Sequence, residues 1–197
     1  LPDAPPAPAG TPQEEEELHD SADSLLEAGM RLFGERGFLD VQVSDIAREA
    51  GLSVGTFYNR FDGKEAFLAD IVRRIGRRTR HYLTVHAPPE GNQLDREVLG
   101  MWNFLTYFEH HPEYYDIVRE AEFVVPLAVK EYYDAFERGY MQRLTAYPEA
   151  KRRIVANFLM GLSHYLGIEV LFSGRVSDPR RMVEDLGALL ARGIGEE

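Results

Sequence analysis

Residues 42–64 read QVSDIAREAGLSVGTFYNRFDGK, two short runs of helical spacing on either side of a glycine. Val43, Ile46, Ala47 and Ala50 fall at helical spacing, so one face of a short helix can be buried. Gly51 follows where a helix closes on a left-handed residue, a conformation glycine adopts without a Cβ penalty. Ser53 then stands as an N-cap, and a second short helix follows with Val54, Phe57 and Phe61 available to pack inward. Two short helices joined by a glycine-containing turn form a helix-turn-helix, whose second helix enters the DNA major groove.

The outer surface of that second helix carries Gly55, Thr56, Tyr58 and Asn59. Small residues let the backbone approach a groove floor. Thr56 can bond a base edge or touch a thymine methyl. Tyr58 and Asn59 are side chains that bond phosphate oxygens. Asp62-Gly63-Lys64-Glu65 then reads as a capping box, with Asp62 as N-cap and Glu65 as its reciprocal partner. Lys64 would be held in the first turn of the next helix, placed to meet a phosphate.

Charge is distributed unevenly around this stretch. The 197-residue chain carries a net charge of -11. Residues 1–20 hold six acids and no base, and residues 83–197 hold twelve bases against eighteen acids. Residues 44–82 hold eight bases against five acids, the one net-basic block of the three, and it begins at the reading head. The acidic remainder limits non-specific DNA affinity, which comes mostly from phosphate neutralisation. There is no cysteine, so disulfides and thiolate metal sites are excluded, as suits a cytoplasmic protein. No apolar run reads as long enough for a membrane span, and no membrane partner is expected.

Outward from the motif the periodicity is helical throughout, and the fold class is all-α. Residues 1–17 read as a disordered acidic arm, rich in Pro and Ala and then in Glu. Residues 18–63 make the helix-turn-helix domain, entered by a helix with Leu25, Leu26, Gly29, Leu32 and Phe33 on one face. Residues 64–86 form a connecting helix with Phe67, Leu68, Ile71, Val72 and Ile75 inward and Arg73, Arg74, Arg77, Arg78 and Arg80 on the other side. Those arginines lie far from the reading head, Arg73 by about 13 Å at a helical rise. They are read as facing solvent or acids of the other domain. Residues 94–197 form a helical ligand-binding and dimerisation domain. Its helix from about Glu149 to Phe172 is apolar on most sides, which calls for a partner surface and a four-helix interface between two copies.

The chain resembles the TetR family of one-component transcriptional regulators. The resemblance rests on LFGERGF at the end of the first helix, on VSDIAREAGLSVGTFYNRF, and on DGKEAFL after it. It implies a homodimer with two reading heads on a palindromic double-stranded operator, released by a small effector, most often as a repressor. It places DNA contacts at Gly55, Thr56, Tyr58, Asn59 and Lys64, and at Gln42 and Ser44; Ser53 joins this set. The family usually has Thr or Ser at the Gln42 position as N-cap, so here this helix end frays or Ser44 takes over the cap.

In the C-terminal region the aromatics Trp102, Phe123, Tyr133, Phe136 and Phe158 are the expected pocket. The effector expected there is apolar or aromatic, with a cation as the alternative because Glu120 and Glu122 stand nearby. His110, His111 and Glu113 flank Pro112 at a helix junction and do not converge as metal ligands would, so no metal and no cofactor is expected. His164 reads as a hydrogen-bonded core or interface histidine. The rival readings are a di-iron bundle enzyme and a helical ligand carrier that has lost DNA binding. The first needs Glu-x-x-His pairs on facing helices, and that spacing occurs only at Glu16 and His19, in the acidic arm. No catalytic residue is assigned. The intact groove face speaks against the second.

Overall fold

In the computed structural model, residues 12–87 and 91–192 are described, with side chains from residue 20 onward. Among them are nine helices and no strand: α1 (Pro12–Arg36), α2 (Val43–Glu49), α3 (Val54–Tyr58), α4 (Lys64–Val85), α5 (Gln93–His110), α6 (Pro112–Val124), α7 (Pro126–Arg143), α8 (Glu149–Phe172) and α9 (Pro179–Arg192). α1 begins at Pro12, inside the segment expected to be a disordered arm, so residues 12–17 are helical. The rest of that expectation, residues 1–11, lies outside the described residues, as do the side chains of Glu16 and His19.

The helix boundaries follow local chemistry. Gly51 closes the turn after α2 with φ +69°, and Ser53 caps α3 by accepting the Thr56 amide at 3.0 Å. Asn92 caps α5 through the Asp95 amide at 2.9 Å, and Asp178 accepts the Arg181 amide at the start of α9 at 2.9 Å. Pro112 and Pro126 occupy first turns, where the missing N–H costs nothing.

Two expected caps are corrected. Gln42 does not leave the α2 end frayed, and Ser44 does not replace it. Asp45 reaches back from inside the helix, and its carboxylate accepts the Gln42 amide at 3.1 Å. The box at Asp62 and Glu65 does not form: Gly63 stands at the N-cap of α4, with no side chain to bond the amides. Val54 is also corrected. It lies exposed, and Phe57 and Phe61 alone fill the inner face of the α3 segment.

One continuous core runs through α1, α2, α3, α4, α6 and α7 and takes in Tyr107 and Phe108 of α5. Phe33, Phe57, Phe61 and Phe67 form edge and tilted ring contacts beneath α3. The same core continues through Tyr114, Ile117, Val118 and Val129. Packing therefore crosses the expected division at residue 64, and the reading head rests on α6 as well as on its own helices. Arg74 and Arg78 reinforce this by pairing with Glu27 on α1, while Arg73 pairs with Glu131 on α7 at 2.9 Å. A second cluster, around Met101, Leu105 and Val183, joins α5 to α8 and α9.

α8 corrects the reading that no apolar run is long enough for a membrane span: by length and composition alone, this one helix is. Its Ala156, Leu159, Ser163 and Gly167 are buried within the chain. Its opposite face leaves Ile154, Phe158, Tyr165 and Phe172 exposed, at 70%, 45%, 64% and 41%.

Candidate functional site

The turn between α2 and α3 presents a compact polar face. Gln42, Ser44, Ser53, Gly55, Tyr58 and Asn59 are exposed, and Thr56 is half-buried. The Ser53 and Thr56 hydroxyls lie 2.9 Å apart, so the cap also orients the Thr56 side chain. Nothing stands within 4 Å of a Cβ built on Gly55 except the Ser53 hydroxyl, leaving the backbone open to an approaching groove. Tyr58 stands edge-on to Phe57 and keeps most of its ring in solvent. Asp45 ties the flank together through Arg48 at 2.6 Å and Arg36 at 3.3 Å. Its carboxyl is held below the usual range, first by the Gln42 amide and then by Arg48.

Lys64, read as a phosphate contact, is tied into the chain itself. Its ammonium donates to the carbonyls of Phe38 and Val41, at 2.8 and 2.9 Å, and sits 4.2 Å from the centre of the Phe38 ring. One of its three N–H donors is left for another acceptor. The Phe38 amide in turn donates to Glu120 on α6 at 2.7 Å. The Phe38 residue is thus held between α4 and α6, next to the α1–α2 turn that supports the reading head.

Behind this, α4, α5, α7 and α8 enclose a cavity of about 540 Å³, within the size range of small-molecule sites. Of the five aromatics named above, Tyr133 and Phe136 line it. The other expected pocket residues do not. Trp102 lies on the face of α5 that meets α9 and lines a separate groove there. Phe123 is 89% exposed on the outside of α6, and Phe158 belongs to the outer face of α8. Helical period alone could not tell which side of each helix faced inward. Glu120 and Glu122, the basis for a cationic effector, do not line the cavity either. Glu120 is engaged by Phe38, and Glu122 accepts from the Tyr133 hydroxyl at 3.1 Å.

The charged residues of the cavity are Arg80, Arg96, Glu97 and Arg143. Glu97 is buried and meets Gln93 at 2.7 Å and Arg143 at 3.5 Å. Burial pushes its carboxyl up, against the pull of Arg143 and Gln93. His164 also faces the cavity. The Tyr115 hydroxyl donates to the His164 carbonyl at 2.6 Å, so Nδ1 of His164, 2.9 Å from that hydroxyl, is the donor of the second bond. Burial lowers the His164 pKa, and a neutral ring protonated at Nδ1 keeps an acceptor lone pair at Nε2. A signal for the α4 wall was present in the sequence: Arg80, Leu83, Thr84 and Ala87 repeat at steps of three and four, which makes one helix face. His111 stacks on Tyr114 at the α5–α6 junction, 3.4 Å from Glu113. Among the described residues no group of three or more acidic or histidine side chains converges on a metal position.

Residues 25–71 match the family model of bacterial regulatory proteins of the tetR family, a span that contains the whole reading head. The uncharacterized HTH-type transcriptional regulator YdgC of Bacillus subtilis is 29% identical over 189 residues, covering 89% of this chain and 93% of its own. The HTH-type transcriptional regulator BetI of Brucella abortus is 31% identical over 111 residues, covering 48% of this chain and 55% of its own. Among solved structures, the fatty acid degradation regulator FadR of Bacillus halodurans superposes with a TM-score of 0.76 at 16% identity, covering 96% of this chain and 100% of that one. A TetR-like transcriptional regulator from Rhodococcus sp. RHA1 superposes at 0.67 with 18% identity, covering 88% and 96%. The chain is a TetR-family, HTH-type transcriptional regulator, with the α2–turn–α3 segment as its DNA-binding motif.

Proposed function

We propose that this regulator is a cytoplasmic homodimeric repressor without enzymatic activity, which binds a palindromic operator and releases it when a small effector fills the α4–α5–α7–α8 cavity. The observation that carries this reading is that α4 serves both sites. Its first residue, Lys64, braces the turn beside α3. Its last turns, from Arg80 to Thr84, wall the cavity. Lys64 and Arg80 are about 24 Å apart along a helix with a rise of about 1.5 Å per residue. A ligand that displaces the cavity end of α4 or α7 displaces the reading head, and differential affinity for the two arrangements is what regulation requires.

Thr56 and Gly55 read base edges in this scheme. Gln42, Ser44, Ser53, Tyr58, Asn59 and the remaining donor of Lys64 hold phosphates. The exposed apolar face of α8, with Leu189 on α9, supports pairing of two copies. The test is operator binding by fluorescence anisotropy, with the duplex selected from a random library and the effector from a compound panel. A ligand that lowers operator affinity at least fivefold supports the reading. A ligand that fills the cavity and leaves operator affinity unchanged overturns the regulatory half of it.

A further inference from the structure

The cavity holds more positive charge than its surroundings explain. Of its charged lining residues, Arg143 is matched to Glu97 at 3.5 Å. Arg80 and Arg96 have no salt bridge among the described residues, in a chain with eleven more acids than bases. Of the other arginines of α4, Arg73 is answered by Asp70 and Glu131, Arg74 by Asp23 and Glu27, and Arg78 by Glu27 and Tyr114; Arg77 has no salt bridge among the described residues but stands exposed to solvent.

Arg80 is different in its setting. It is half-buried, and its guanidinium lies 5.5 Å from the centre of the Phe136 ring. Burial and the nearby charges of Arg138 and Arg77 disfavour its charged form, with only the Tyr132 phenol acting the other way. A half-buried cation repelled by two others is costly unless an anion completes the site. The walls around it are aromatic: Phe104, Tyr132, Tyr133, Phe136 and Tyr140.

Resting on the reading of this cavity as the effector site, we propose that its ligand is an organic carboxylate, with the carboxylate paired to Arg80 and an aliphatic or aromatic body against the Phe136 and Tyr132 side. The planar guanidinium suits a two-oxygen acceptor better than a single charge would require. A cationic ligand meets two unanswered arginines, and the one acid in the lining is already engaged.

The test is calorimetric titration of the full chain without DNA, so its outcome is independent of any operator. The probes are octanoate, octan-1-ol and octylamine, with 4-phenylbutyrate as the aromatic carboxylate. At least one of the two carboxylates should bind, and where octanoate does, octan-1-ol should bind at least tenfold more weakly and octylamine not measurably. Arg80→Gln should weaken the carboxylate at least tenfold, and Arg80→Lys should restore part of the loss. Thermal melts of both variants separate this effect from unfolding, and a variant that fails to fold leaves the probe series on the wild type to decide. Binding of octylamine as tight as that of the carboxylate, unchanged carboxylate affinity in folded Arg80→Gln, or no heat with either carboxylate overturns the proposal. Carboxylate binding that leaves operator affinity untouched would keep this assignment and remove the regulatory reading instead.

Discussion

Among single residues, Lys64 and Gly29 each make a contact that ties distant parts of the chain together. Lys64 was legible as a basic residue in the first turn of α4, but its carbonyl partners lie 26 and 23 residues earlier in the chain. No local pattern reports such a contact. Lys64→Met should therefore cost stability as well as DNA affinity, about 1–3 kcal/mol for the charge-assisted bonds lost, seen in chemical denaturation. A loss of operator affinity unaccompanied by any change in stability would show that the ammonium serves phosphate alone. Gly29 stands inside α1, where glycine costs about 1 kcal/mol against alanine, and a contact between helices supplies the reason. A Cβ there would stand 2.3 Å from the Phe67 ring and 2.9 Å from Ile71. Gly29→Ala should destabilise by about 1–3 kcal/mol through overpacking, despite alanine's better helix propensity; a rise in melting temperature would contradict it.

His164 adds a pH dependence at the same scale. Its folded-state pKa is depressed below the ordinary value of 6.5 by burial. The unfolded chain then binds this proton more readily than the folded one. The contribution of a neutral His164 is fully present above pH 6.5 and is lost as pH falls through the folded value. His164→Asn keeps a donor near the Nδ1 position and removes the titration. Between pH 7 and 5.5 the wild type should lose more stability than the variant. Equal slopes would place the titration elsewhere.

At the scale of elements, the helices were read well because capping residues, prolines and apolar periodicity act within a few residues. Asn92, Pro112, Pro126 and Pro179 stand at helix starts, where their local chemistry places them. The pocket was read less well. Which face of α5, α6 or α8 turns inward depends on contacts between helices, and Trp102, Phe123 and Phe158 all turned toward other surfaces. The contact between α6 and the reading head is of the same long-range kind. Glu120 accepts the Phe38 amide across 82 residues of sequence. Glu120→Ala should leave effector binding to the isolated protein unchanged and reduce the effector's influence on operator affinity roughly fivefold, within the usual range of coupling energies. Unchanged coupling would mean that α4 alone carries the signal. On α8, Phe158→Glu should convert the proposed dimer to monomer in analytical ultracentrifugation, because it would bury a charge in the proposed apolar interface. A dimer of unchanged stability would place the interface on another face.

At the scale of the whole molecule, charge and shape divide the labour. The chain repels nucleic acid in general, with a net charge of -11, and offers one compact polar face around α3 that can bind it in particular. In the proposed dimer, affinity must then come from correct contacts in both half-sites together, about 34–36 Å apart for adjacent turns of one duplex face. The most direct measurement is the affinity of the full-length protein for a duplex selected from a random library, against a scrambled duplex of equal length at the same salt. The account predicts a preference of at least about a thousandfold, abolished in Thr56→Ala/Asn59→Ala at unchanged melting temperature. Equal affinity for selected and scrambled duplexes, or a preference that survives in that double variant, would contradict it.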